Sequence, residues 1–265
     1  MDQLPFELRF MHKFNIHKTS GLNIDDNDLV SMARIYGVKP KELKKLEMQF
    51  SKRIGAAARD LKEKLGVKPA EQPYTIAAIG DSLTSDRESY VKILNHLWKE
   101  DGSRVLIDCG ISGDTTYDIV KRFYHTILNQ EFSWATILLG TNDSRANDDE
   151  YNHSFLSVDE FKRNMVYIIE NLIKRQKNLV LITIPSTDTK RMKAYFPDFN
   201  MKYDAQRVKK TNAVIRELSS KYGTELADFS VRLQERGIDG LESDGIHITI
   251  EAHKVLCELL LESLP

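Results

Sequence analysis

The sequence is short of cysteine, of long apolar runs and of net charge, and each shortage removes a class of protein. Two cysteines, Cys109 and Cys257, make neither a disulfide framework nor the ligand spacing of a zinc site. Both sit inside apolar runs, so buried thiols are expected. No stretch approaches the roughly 18 apolar residues that span a bilayer. A formal net charge of -1 offers no global attraction to nucleic acid or to an anionic membrane. Met1-Asp2-Gln3-Leu4-Pro5-Phe6-Glu7 has neither the basic start nor the apolar middle of a secretory signal, and a cytoplasmic protein is the expectation. There is no internal repeat and no low-complexity segment. What remains is ordinary globular material: 265 residues, 41% hydrophobic and 29% charged, enough for one sizeable core and an appendage.

Residues 1–66 read as a small all-helical domain or cap. Phe6, Phe10 and Phe14 recur every fourth residue after Pro5, a residue suited to a first helical turn. Asp25 or Asp26 is the expected cap of a second helix carrying Leu29, Met32, Ala33 and Tyr36, stopped by Gly37. A third starts at Pro40, steps through Leu43, Leu46, Phe50, Ile54, Ala57, Leu61 and Leu65, and ends at Gly66. Ala33, Gly37, Val38, Leu43 and Leu46 also fit the spacing of a helix-turn-helix, with Lys39, Lys41, Lys44 and Lys45 nearby. The segment holds 13 Lys and Arg against 9 Asp and Glu, well short of a basic DNA-binding domain. Its third helix is also far longer than a recognition helix. Nucleic acid is therefore not the expected partner, and a cap or a homodimer contact made by residues 1–66 is the plainer reading. Residues 67–73, with Pro69 and Pro73, form a stiff linker.

From Tyr74 onward strands and helices alternate. The strands fall at Thr75–Ile79, Arg104–Asp108, Ala135–Leu139, Leu179–Ile184 and Glu225–Asp228. Helical patterns fall between them around Tyr90–Trp98, Ile119–Leu128, Phe161–Ile173, Val208–Tyr222 and Val255–Leu260, with Ser157-Val158-Asp159-Glu160 as a capping box. Apolar strands alternating with helices mean βαβ units, hence a parallel sheet covered on both faces in a three-layer doubly wound α/β/α domain over 74–265.

Four polar stretches interrupt this pattern at comparable places. Gly80-Asp81-Ser82-Leu83 follows the first strand, Gly110-Ile111-Ser112-Gly113-Asp114-Thr115 the second and Gly140-Thr141-Asn142-Asp143 the third. Ser243-Asp244-Gly245-Ile246-His247 precedes the last helix. Parallel strands bring the first three to one edge of the sheet, where sites gather. A serine there becomes a nucleophile only with a base and an orienting group. Of seven histidines, His12 and His17 lie in the appendage, His96 and His125 in helical segments, His153 in the polar stretch Ser144–Ser157, and His253 among charged residues on the last helix. His247 has a carboxylate three residues before it, Asp244, in a glycine-containing loop that can bring it to the ring. Ser82 is then the nucleophile, His247 the base and Asp244 its orienter. The Ser82 and Gly113 N–H groups and the Asn142 amide are candidate donors to an oxyanion. Each has a plainer reading as a cap or turn residue. Ser112 is a rival nucleophile, though its glycine-flanked loop accounts for it as a turn. Asp81, Asp114 and Asp143 are expected to hydrogen-bond their loops.

These four stretches resemble, in order and spacing, the sequence blocks of the SGNH (GDSL) hydrolase family, esterase/lipase type. Gly80-Asp81-Ser82-Leu83 matches block I. Gly110 to Thr115 resembles block II, with Gly113 in the place of the family's oxyanion glycine, and Gly140-Thr141-Asn142-Asp143 matches block III. Asp244-Gly245-Ile246-His247 matches block V. The resemblance covers about 74–265 and leaves residues 1–66 outside it. Cys109 stands where block II usually has Asn, and Thr84 rules out the G-x-S-x-G elbow of the α/β-hydrolases. The resemblance implies a flavodoxin-like fold with a five-stranded parallel sheet. It also implies ester hydrolysis without metal or cofactor, through an acyl-enzyme on Ser82.

The substrate stays open. Ser144–Ser157 is polar. Ser186–Tyr203 is long for a loop and mixes lysines and arginine with Tyr195, Phe196, Phe199 and Tyr203, as a lid or as a short packed helix. Acylated sugars, lipids and thioesters all suit such walls. Two other readings stand beside the esterase: a non-catalytic SGNH-like binding module, and a regulator whose N-terminal helices bind DNA.

Overall fold

The computed structural model describes residues 5–20, 24, 25 and 27–265. Helix α1 (Phe6–Lys13) starts after Pro5. Helix α2 (Leu29–Tyr36) is capped by Asp28, whose carboxylate accepts from the Ser31 N–H at 3.0 Å. Asp25 is not the cap, because its side chain is spent on the Asn27 N–H, and Asp26 lies outside the described residues. Helix α3 (Pro40–Leu65) has the expected bounds, with Gly66 at its end in the left-handed region. Its buried stripe of Leu43, Leu46, Phe50, Ala57, Ala58 and Leu61 follows the apolar spacing. Residues 67–73 carry neither helix nor strand.

Then come β1 (Tyr74–Gly80), the single turn α4 (Ser82–Ser85), α5 (Tyr90–Leu97), β2 (Arg104–Asp108), α6 (Thr116–Arg122), β3 (Trp134–Leu138) and β4 (Arg145–Asn147). After these lie α7 (Val158–Ile173), β5 (Asn178–Ile182), α8 (Thr189–Tyr195), β6 (Met201–Tyr203), α9 (Ala205–Tyr222), β7 (Glu225–Ala227), α10 (Phe229–Glu235) and α11 (Ile250–Ser263). The main sheet runs β2-β1-β3-β5-β7 and all its pairings are parallel. Renumbered along the sheet this is the flavodoxin order, with the switch point between β1 and β3. Side chains of β1 alternate between two cores: Ile76 and Ala78 pack with Tyr90, Trp98 and Leu256, whereas Ala77 and Ile79 pack with Phe123, Phe161 and Ile215. Both faces are therefore covered, and the three-layer expectation holds. Helix α3 adds a further layer outside α5 and α11, where Ala57, Ala58 and Leu61 join the first core.

Several bounds differ for physical reasons. Strand β5 stops short of the expected Ile184, whose N–H is taken by the Asn212 side chain at 2.8 Å, while the Thr183 N–H still donates to the Ala227 carbonyl at 3.2 Å. Asp228 is not the end of a strand but the cap of α10, accepting from the Val231 N–H. Ser157 caps α7 at the Glu160 N–H, but only half of the expected box forms, since the Glu160 carboxylate turns to Arg163. Of the two readings of Ser186–Tyr203, a lid loop or a short packed helix, the structure shows the helix. The segment holds α8 and β6, and β6 pairs antiparallel with β4, Arg145 facing Tyr203.

Candidate active site

The first strand ends in a turn that admits no side chain at its hinge. A Cβ on Gly80 would lie 2.0 Å from Thr84 Oγ1 and 3.0 Å from the Leu138 carbonyl. Asp81 then caps α4, its carboxylate accepting from the Leu83 N–H at 2.9 Å, and this presents Ser82 as the first residue of the helical turn. The last stretch is an equally constrained turn. Leu241 and Ile248 bridge, the Glu242 N–H donates to the His247 carbonyl, and one Asp244 oxygen accepts from the Ile246 and His247 N–H groups at 2.9 Å each.

These two turns, 165 residues apart, place the three predicted side chains in a line. Ser82 Oγ stands 2.9 Å from His247 Nε2, and His247 Nδ1 stands 2.6 Å from Asp244 Oδ2. With Nδ1–H donating to Asp244, Nε2 is left to accept the Ser82 proton. Burial alone would push the Asp244 carboxyl up. The adjacent His247 ring and the two N–H donors outweigh it and hold Asp244 below the usual carboxylate range.

The middle stretches meet across the switch point. Asn142 Nδ2 donates to the Asp114 carbonyl at 3.0 Å and to Asp81 Oδ2 at 3.2 Å, and Asn142 Oδ1 accepts from the Tyr203 hydroxyl. Gly113 has a positive φ of 83° and open space where a Cβ would stand. Among the described residues, neither the Ser82 nor the Gly113 N–H meets an acceptor. Asp81, Asp114 and Asp143 do bond their loops. Asp143 accepts from the Thr116 N–H and hydroxyl, and Asp114 pairs with Arg122 at 2.8 Å. Burial drives the Asp81 carboxyl up to about 7 and those of Asp114 and Asp143 to about 6. Burial likewise lifts the Cys109 thiol to about 12, and its carbonyl is held by Arg122.

The other candidates stand apart. The Ser112 hydroxyl donates to the Phe14 carbonyl, and among the described residues no histidine hydrogen-bonds to it. His96 and His125 are exposed. His253 is not among solvated charges but buried, with Nδ1 at the Tyr90 N–H and Nε2 3.7 Å from Asp86. His12 pairs with Glu47, and His17 with the Tyr36 hydroxyl.

Two contributors were not readable from the sequence. Arg145 of β4 donates to the Asn142 and Gly113 carbonyls at 3.0 and 3.1 Å and so pins both loops. The N-terminal segment closes over the site. The Phe14 ring stacks on His247, with centroids 3.7 Å apart and planes within 18°, and Phe10 meets the same ring edge-on at 5.5 Å. Lys13 reaches Glu242, Asp86 and Glu88, and Asn15 donates to the Ser85 carbonyl at 2.6 Å. Under this cover Ser82 is 8% and His247 6% exposed. Helical spacing announced the face bearing Phe10 and Phe14 but not what it covers.

The fold and the order of the four loops are those of the SGNH hydrolases. The family model described as GDSL-like lipase/acylhydrolase matches residues 78–255, and the chain belongs to that family. A lipase/acylhydrolase from Enterococcus faecalis superposes with a TM-score of 0.59 at 25% identity, over 71% of this chain and 94% of that one. An acetylxylan esterase from Geobacillus stearothermophilus superposes with a TM-score of 0.57 at 17% identity, over 72% of this chain and 94% of that one. The uncharacterized lipoprotein YqeF of Bacillus subtilis strain 168 is 28% identical over 192 residues, 67% of this chain and 76% of YqeF. By family the protein is a GDSL-type lipase/acylhydrolase or esterase. Among the described residues no helix is long and apolar enough to cross a membrane.

Proposed function

We propose that the protein is a serine ester hydrolase of the carboxylesterase or acetylesterase kind, working through an acyl-enzyme on Ser82. The observation that carries this reading is the unbroken chain from Ser82 Oγ to His247 Nε2 at 2.9 Å and from Nδ1 to Asp244 at 2.6 Å. His247 takes the Ser82 proton as Oγ attacks the acyl carbonyl. The negative oxygen of the tetrahedral intermediate is met by the Ser82 and Gly113 N–H groups and by Asn142 Nδ2, whose longer bond to Asp81 is exchanged for it. His247 then protonates the departing alcohol. Water, activated by the same ring, releases the acid. Asp244 holds the tautomer and stabilises the imidazolium throughout. The reading asks for no metal and no cofactor, and its substrate is a small-molecule ester.

The test is covalent. A fluorophosphonate that mimics the tetrahedral intermediate is expected to add one adduct to the intact protein, on the peptide bearing Ser82, and none to Ser82→Ala. An adduct mapped to Ser112, or equal labelling of both proteins, would remove Ser82 from the role.

A further inference from the structure

Beside the triad lies a cleft of about 570 Å³, in the size range of small-molecule sites. It opens between α1, α3 and the loop that carries Asp244. One wall is aromatic: Phe6, Phe10 and Phe14 from one face of α1, Phe50 from α3 and Tyr195 from α8. Phe6 and Tyr195 meet edge to face at 4.9 Å. The same elements carry three cations, Arg9, Lys13 and Arg53, with Lys13 over the Phe14 ring and Arg53 over the Phe50 ring, and the lining also includes three carboxylates, Glu88, Glu242 and Asp244. Lys13 is bound to Glu242, Arg53 to Glu88 and Asp244 to His247, so these charges largely pair among themselves and give a charged ligand little excess of either sign. The cleft therefore suits an uncharged apolar group.

Its position says which part of an ester that group belongs to. Phe10 and Phe14 line the cleft and also touch the His247 ring, and Asp244 reaches its wall. The cleft thus abuts the base, with the Phe10 and Phe14 rings between it and the imidazole. Of the two halves of an ester, the alcohol is the one that must come within hydrogen-bond reach of the histidine, because the histidine protonates it as it leaves. The acyl carbonyl faces the other way, toward Gly113 and Asn142.

We infer that this cleft is the alcohol subsite, and that the preferred substrates are esters of uncharged, apolar alcohols, medium-chain alkyl or arylalkyl. The inference rests on the ester-hydrolase reading above. Phe14 swings off His247 as the alcohol enters. No new bond is involved beyond those of hydrolysis: the ester C–O bond breaks, the alcohol leaves with the proton from His247, and water supplies the acid's oxygen.

The experiment holds the acyl group constant and varies the alcohol, using ethyl, butyl and octyl acetate, whose leaving groups differ little in acidity. In the full-length protein kcat/KM is expected to rise with alcohol length, by at most about fourfold per methylene. In Phe6→Ala and Tyr195→Ala, at positions 49% exposed and half-buried, the octyl-to-ethyl ratio of kcat/KM should fall about tenfold. The ratio of ethyl octanoate to ethyl acetate should not move in either variant. An unchanged alcohol ratio, or a change confined to the acyl series, overturns the assignment. A direct binding arm separates this from a failure of the hydrolase reading. The neutral fluorophore N-phenyl-1-naphthylamine is expected to bind the wild-type protein and to be displaced by octanol, with weaker binding to Phe6→Ala. If no acetate is cleaved but the probe still behaves in this way, the apolar site stands and the hydrolase reading falls. Probe binding that is absent, or indifferent to Phe6→Ala, overturns the site itself.

Discussion

The Phe14 ring lies flat on the His247 imidazole at a centroid distance of 3.7 Å, so a residue of the N-terminal helical segment forms the roof of the candidate catalytic base. The segment is held there by more than this stack. The Phe14 carbonyl accepts from Ser112, the Arg87 N–H donates to the Lys13 carbonyl at 2.9 Å, and the Arg87 guanidinium donates to the His12 carbonyl at 3.1 Å. Burial would lower the Lys13 pKa, but Asp86, Glu242 and Glu88 together raise it well above the usual lysine value, so Lys13 remains a cation in the latch.

Removing the roof should expose Ser82. Phe14→Ala is expected to speed fluorophosphonate labelling of Ser82 by about 10- to 100-fold, the gain when an open state populated at a few per cent becomes the main one. Deleting this buried ring should also cost about 3 kcal/mol of stability, read by denaturant unfolding. Labelling that is unchanged or slower would mean that Phe14 does not control access.

Arg145 is expected to act as a positioning residue, because its guanidinium hydrogen-bonds the carbonyls of Gly113 and Asn142 and lies over the Phe155 ring. Arg145→Met should lower kcat by about 10- to 100-fold with little change in KM, the pattern of oxyanion donors moved by a fraction of an ångström. Arg145→Lys should recover part of the loss. A matching rise in KM would instead place Arg145 against the substrate.

Direct members of the constellation should cost more. Asn142→Ala is expected to lose about 10²–10³ in kcat, the size seen on removing one oxyanion donor elsewhere. Asp244→Asn is expected to lose about 10⁴, by analogy with the same change in a serine protease. An unchanged rate in Asn142→Ala would take it out of the site.

The three buried aspartates give the fold a pH signature. Each has its pKa raised by burial in the folded protein, to about 7 for Asp81 and about 6 for Asp114 and Asp143. A raised carboxyl pKa means the folded state holds its proton longer than the unfolded chain. That stability is full below about pH 4 and is lost as pH rises through about 6 to 7. Asp81→Asn should flatten this decline, by no more than about 4 kcal/mol between pH 4 and 7. A variant whose Tm falls over that range as steeply as the wild type would show that Asp81 is not the source.

Much of this was legible in the sequence where the signal is local. Apolar runs located the five strands of the main sheet, three of them running into Gly80, Gly110 and Gly140, and the bounds moved by a residue or two where a side chain took over a backbone group, as Asn212 does at Ile184. The line Ser82–His247–Asp244 followed from residue types and placement, since His247 has a carboxylate at the right offset inside a glycine-containing turn before the last helix. What could not be read depends on distant pairing. The β4–β6 ribbon joins two three-residue segments, too short for alternation to mark them as strands, and α10 is a seven-residue helix between polar turns. Periodicity gave α1 an aromatic face, but nothing in residues 6–14 says that the face meets a turn more than two hundred residues later.

The most direct measurement is hydrolysis of p-nitrophenyl butyrate by the wild-type protein and by Ser82→Ala, purified in parallel and matched for folding by circular dichroism. Turnover by the first and its loss in the second, to the background of the buffer, is the expected result. Equal turnover by both would contradict the assignment of Ser82 as the nucleophile and, with it, the reading of the whole site.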